Sequence, residues 1–527
     1  MARVARSART RRLRAATVAV AVGVGGLAVA AIIGRPGAGL GGHLGAGLGG
    51  HLGAGPVRAT VAVGPWAWGS VPAVGVDEAL GRAYIATTGG GGGSGIVRVL
   101  DTTTGALVGT ASLPGRADGG LFVAVDARRG RAYVASGGST TCGAPGLGGA
   151  PQACATVGAA LATIDGRTGR VLRSLPVDAG IGLAVDGRTG LLYALPAGGT
   201  TDRVRVIDAR SGRAVRTIAL PGSGQGLGFG ALATDGRGQR LVIVRNPSGP
   251  AGRSRWSADV IDLARGTLLR HIPLPGAGAA SPLYPPLVDA ARGRAYVGLG
   301  NPGAGAGGAV AVLDIRHGAL LRATATGAGI GGLAEDARAG RVFTTALGTP
   351  RMVMTRLRGG GVVIARMPAG MGAFQGLALT PAGTGTLQAV DARTGAPLRG
   401  VPLGVGMTDV AVDERRGRVY ALSTGAADAR GGLTRPGTLV VVDERTWRVM
   451  RTLAVGAAPV ALALDRRHDR LLVACAGPSP GVSGGTPEDP WGWLPGPVRH
   501  LLPFLPRPPA PPATPQGSVL VLDTTRL

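Results

Sequence analysis

Six histidines, three cysteines and 29 acidic residues are the groups this 527-residue chain offers for metal binding and for proton transfer near neutral pH. His43 and His51 sit in a duplicated GAGLGGHL spacer, and His271, His317, His468 and His500 lack the spacing of a metal-ligand set. The string G-x-S-x-G occurs only within GPSPGVSGG at 477–485, a Gly/Pro-rich segment without the strand-to-helix pattern of a nucleophile elbow, and no H-E-x-x-H occurs. No metal, no cofactor and no catalytic residue is therefore expected. Cys142 and Cys154 share one Gly/Pro-rich loop, where an oxidising compartment would join them, while Cys475 ends the apolar run LLVACAG and reads as buried. Such a short ring is worth roughly 3 kcal/mol in the loop-entropy account. Three inert, small apolar side chains are the plainer alternative.

The residue types favour recognition over turnover. All 56 basic residues are Arg, and the net charge is +27. A chain rich in Gly, Ala, Arg and Pro without Lys has the codon signature of a GC-rich genome, which accounts for much of this charge. A basic surface still attracts polyanions whatever its origin. Aromatic residues are only 3% of the chain, too few for base stacking, so nucleic acid is not an expected partner. Two loops concentrate charge: one carries Arg245, Arg253, Arg255 and Trp256, the other Arg351, Arg356, Arg358 and Arg366. A third segment, 477–517, gathers Trp491, Trp493 and several Leu before a Pro-rich tail. Trp66, Trp68, Asp118, Asp178, Gln225, Tyr284 and Asp409 lie in connections between repeated units. A fold that gathers those connections at one mouth makes them the default ligand site, though each alone is an ordinary cap or packing group.

Those residues are carried by a repeat. One half reads apolar strand, Asp, Arg/Gly turn, apolar strand, as in VAVDARRGRAYVA, with aspartates 77, 126, 186, 235, 289, 336, 413 and 465. The other half reads VRVIDARSG, with aspartates 101, 165, 208, 262, 314, 391, 443 and 523. Two hairpins per unit give four short antiparallel strands, and the absence of helical patterning between units points to a single all-β propeller. Eight blades follow, or seven if the sixth unit is misread. The chain stops one strand short, and VRATVAVG at 57–64 resembles LRATATG at 321–327, with Arg58 in the place of Arg322. The first strand should therefore close the ring. Arg173, Arg216, Arg270, Arg322, Arg399 and Arg451 fall on outermost strands, where charge deters edge pairing.

These units resemble the YVTN-type, YncE-like β-propeller repeats, with Tyr84, Tyr133, Tyr193, Tyr296 and Tyr420 in the tyrosine position. The resemblance covers roughly 57–527, without a literal YVTN and with eight units where seven is usual. It implies fold and leaves activity open. A propeller lactonase or a quinoprotein dehydrogenase is the enzymatic alternative. The first lacks convergent His or acid ligands, and the second lacks the blade-locking Trp and adjacent Cys pair.

Spacing from first to second aspartate runs from 22 to 58 residues, whereas from second to next first it stays between 21 and 27. Insertions thus fall between strands two and three, on the ring face opposite the Asp turns, and that face is the expected working face. The 16 turns hold 27 Arg against 20 acids and read as structural.

Ahead of the propeller lie a basic stretch (1–14), an uncharged apolar run (15–33) and a Gly-rich linker (34–56). Nineteen helical residues span roughly 28 Å, close to a bilayer core. The run reads as an uncleaved anchor, with the Arg side inside and the propeller outside, and a cleaved signal peptide is the rival. The sequence thus describes a monomeric, extracytoplasmic propeller, tethered to the membrane or secreted. It would bind a cell-envelope polymer, a lipid headgroup or a protein.

Overall fold

The computed structural model describes residues 55–527, apart from 66–72, 89–93, 143–153, 197–201, 222–229, 246–255, 276–284, 301–307, 347–351, 357–361, 367–384, 428–432, 478–515 and positions 116, 118, 119, 178, 238, 328, 405 and 424. The expected membrane segment 15–33 lies outside these residues. Among the described residues no helix is long and apolar enough to cross a membrane.

Eight four-stranded antiparallel sheets form, each strand pairing with the next from a (innermost) to d (outermost). The compact third blade shows the plan: Ala179–Asp186, Leu191–Pro196, Arg203–Asp208 and Ala214–Ala219. Strand b is buried at every position but its first, while strand d is mostly exposed. Neighbouring blades cover both faces of the middle strands, so those strands read as continuous apolar runs rather than alternating ones. The a strands are Ala73–Asp77, Leu121–Asp126, Ala179–Asp186, Gly230–Thr234, Leu287–Asp289, Ile330–Asp336, Met407–Asp413 and Pro459–Asp465. Each touches the next around the ring, and the eighth touches the first. Eight blades are present, the sixth unit among them.

Closure follows the expected route. Val57–Pro65 supplies strand d of blade eight, pairing antiparallel with Gln516–Asp523. Arg58 Nε donates to Asp523 Oδ2 at 3.0 Å, tying the first strand to the last turn.

Between blades, the strand-b tyrosine presses against the residue that follows the strand-c aspartate of the next blade. Tyr133 packs with Ala209, and Tyr296 with Ala392, whose carbonyl accepts the Tyr296 hydroxyl at 2.9 Å. At the seam between blades one and two the receiving residue is Gly166, where a Cβ would stand 2.2 Å from the Tyr84 hydroxyl. Arg at the start of strand b adds a polar tie. Arg82 bonds Asp101 of its own blade at 2.6 Å and the Gly166 carbonyl of the next at 3.2 Å. Arg294, Arg341, Arg418 and Arg470 reach the next blade's c–d turn in the same way. The Arg470 contact crosses the closure to Thr103 of blade one.

The outer-strand Arg residues do more than guard an edge. Arg216 donates to the Leu263 carbonyl of the next blade at 2.6 Å, and Arg451 to that of Arg526 at 2.7 Å. At blade seven the turn glycine is replaced by Trp447, held at φ 63°. A bulky residue rarely adopts that backbone. Trp447 is retained by Phe343, 5.7 Å away between ring centroids, and by Arg399, whose guanidinium lies 5.8 Å over its ring.

Candidate functional site

The insertions emerge between strands b and c, on the face opposite the Asp turns, and three carry two-stranded hairpins: Ser139–Cys142 with Cys154–Val157, Met352–Arg356 with Val362–Arg366, and Ala426–Ala427 with Leu433–Arg435. Of the expected mouth residues, Asp409 alone is described; Trp66, Trp68, Asp118, Asp178, Gln225 and Tyr284 lie outside the described residues, as do Arg253, Arg255, Arg358, Trp491 and Trp493. Arg356 ends a hairpin strand.

Asp409 sits on strand a of blade seven, just after a register shift between Met407 and Asp409. Gly332 of blade six makes room for it, since a Cβ there would come within 2.5 Å of Asp409 Oδ1. Oδ1 accepts Val410 N at 2.8 Å and Oδ2 accepts Leu462 N of blade eight at 2.7 Å. The carboxylate thus satisfies two amides on neighbouring inner strands. Burial among those strands raises its pKa to about 7, against the downward pull of both amides. It can therefore exchange a proton near neutrality.

Trp256 corrects the sequence reading. It is 1% exposed and packs into the core between blades four and five with Val244, Val260 and Leu274, so it cannot be a loop contact for a partner. The residue directly precedes strand c, and its bulk turns into the seam. Arg245 is corrected as well, because it ends strand b of blade four with its side chain fully buried. Its Nε meets Asp259 Oδ2 at 2.5 Å, and Asp259 Oδ1 meets His271 Nδ1 at 2.6 Å. Asp259 is fully buried while the His271 side chain is 41% exposed. With Nδ1 committed to the carboxylate, Nε2 is left to face solvent, so this row links a buried ion pair to the flank of the ring. The signal in the sequence is an aspartate in mid-strand, away from any turn.

The opposite face is built from the sixteen turn aspartates. Asp101 Oδ1 accepts the amides of Thr103 and Thr104 at 3.0 and 2.9 Å, and the same capping recurs at Asp165 and Asp391. All eight strand-c aspartates are held below the ordinary carboxylate range. At Asp101, Asp165, Asp314, Asp391 and Asp523 burial opposes this and the turn hydrogen bonds outweigh it. Two seam glutamates go the other way. Burial, reinforced by Asp289, pushes Glu335 up to about 7 beside Arg292 and Tyr296, and burial with Asp336 raises Glu444 beside Arg341. Among the described residues no group of three His, Cys, Asp or Glu is placed to hold a metal ion.

No family model and no curated protein matches the chain. Solved structures similar to it include BamB from Moraxella catarrhalis (13% identity, 79% of this chain and 97% of that one, TM-score 0.42). Saccharomyces cerevisiae Sqt1 matches at 11% identity over 80% and 97%, with a TM-score of 0.48. The computationally designed Ika8 protein matches at 14% identity over 79% and 96%, with a TM-score of 0.44. At these scores the eight-bladed assignment rests on the chain's own sheet pairing.

Proposed function

We propose that this chain is a membrane-tethered, extracytoplasmic β-propeller of the YVTN/YncE-like kind that binds an envelope polymer or a protein through its insertion face. The observation that carries the reading is the asymmetry of the ring. Every long insertion leaves on one face, whereas the other is committed to short capped turns that latch blade to blade. Variable loops on a rigid scaffold are where binding is built. The apolar run 15–33 after a basic stretch supports the tether, and N-terminal sequencing of the mature protein distinguishes an anchor from a cleaved signal.

The test of the binding face is capture of partners from envelope extract by the purified full chain, at low and high salt. Arg253, Arg255, Arg356 and Arg358 are changed to Ser in one variant, and residues 487–506 are deleted in another. Salt-sensitive capture lost in the Arg variant identifies a polyanion, because exposed charge contacts fade as the Debye length falls to ~8 Å. Salt-insensitive capture lost in the deletion identifies an apolar contact centred on Trp491 and Trp493. Capture unchanged in both variants would reject these loops as the site and transfer the role to the mouth around Asp409.

A further inference from the structure

We infer that the turn face of the ring is a second docking surface, one that lies against a bilayer containing anionic phospholipid. Three observations meet there. All seven large apolar side chains exposed among the described residues stand at one place, the start of strand d where it leaves the c–d turn; they are between 42% and 55% exposed. In blades two, three, six and seven these are Leu172, Val215, Leu398 and Met450, each seven residues after the strand-c aspartate. Together they form an apolar rim around the edge of the turn face.

The same four turns carry Arg167, Arg210, Arg393 and Arg445 two residues after that aspartate. All four are exposed and make no salt bridge with a described residue. The aspartates beside them are half-buried and spent on turn amides. The near balance of Arg and acid in the sequence therefore separates in depth, acids sunk and guanidinium groups outermost. An apolar rim with outward Arg suits lipid headgroups over a soluble polyanion, which would use the charge and leave the rim wet.

The third observation is where the chain enters. Val57 pairs with Leu522, and Asp523 N donates to the Pro56 carbonyl at 2.8 Å, so strand d of blade eight begins at the turn-face end. The described chain therefore enters the ring at the turn face. The bearing of this on a bilayer rests on the proposed reading of 15–33 as a membrane segment; the rim and the Arg layer do not.

The test measures sedimentation of residues 55–527, which contain every blade and form one compact unit, with phosphatidylglycerol and with phosphatidylcholine vesicles. Binding to the first only is expected. Changing the four Arg to Ser should weaken it by about five-fold per residue, several hundred-fold in all. Changing Leu172, Val215, Leu398 and Met450 to Ser should weaken it too, with the thermal midpoint unmoved in both variants because every altered side chain is exposed. Equal binding to both vesicles, or binding that ignores the apolar variant and matches that to soluble polyphosphate, would overturn the proposal. Should 55–527 fail to melt cooperatively, phenylglyoxal footprinting of the full chain in proteoliposomes reads the same surface. The four Arg must then be protected in anionic and not in zwitterionic lipid. The capture experiment for the insertion face uses extract without lipid, so either reading can fail alone.

Discussion

Replacing Asp409 by Asn should invert its effect on stability between acid and alkaline pH. The carboxyl titrates near 7 in the folded ring and near 3.8 when free, a gap of about three units. At 1.36 kcal/mol per unit, folding with this group ionised costs on the order of 4 kcal/mol at pH 8. Because the folded pKa is the higher one, its contribution is fully present below about pH 4. It is lost as pH rises through 7. Asn removes the charge yet keeps one carbonyl for either Val410 N or Leu462 N. The other amide then faces an NH2 group, at about 1–3 kcal/mol. The variant should therefore be less stable than the parent at pH 4.5 by about 1 kcal/mol, since the unfolded carboxyl is already largely ionised there, and more stable at pH 8 by about 2 kcal/mol. Urea unfolding midpoints of both proteins at five pH values test this, and the difference cancels the titrations of Glu335 and Glu444, which both proteins share. Parallel curves would mean that the Asp409 carboxylate is solvated in the folded ring and that burial does not raise its pKa.

Gly166→Leu should destabilise by about 1–3 kcal/mol through overpacking against Tyr84, and Tyr84→Ala in the same chain should recover part of the loss; additive effects in the double variant would refute the contact. Cys142 and Cys154 are directly opposed in the blade-two hairpin, so oxidised protein should yield one cross-strand disulfide there on non-reducing peptide mapping. Cys475 should remain unalkylated in the native state, since burial pushes its thiol up to about 12; rapid native labelling would count against this. Asp259→Ala should cost about 3–5 kcal/mol by stranding the buried Arg245 charge, whereas His271→Ala should cost far less; equal losses would show that the buried ion pair contributes no more than the histidine contact.

The turn chemistry and strand patterning were written locally. Asp opens all sixteen turns through bonds spanning two or three residues, and in twelve of them Gly follows four residues on, so the aspartates announced the turns. The match of Arg58 to Arg322 announced the closing strand, because one blade's outer edge is chemically like another's. Other features depend on residues brought together from far along the chain. Trp256 looked like a loop aromatic beside three Arg, and only the seam between blades four and five made it core. The Arg245–Asp259–His271 row joins three strands of one sheet, whose register no single strand displays. Gly166 is required by Tyr84, more than eighty residues earlier, because the ring seats each tyrosine on the following blade. The turn face shows the division most plainly. Sequence arithmetic set its count of Arg and acid, but depth is a property of the folded surface. Backbone amides draw the carboxylates inward, while the long guanidinium arms stay in water.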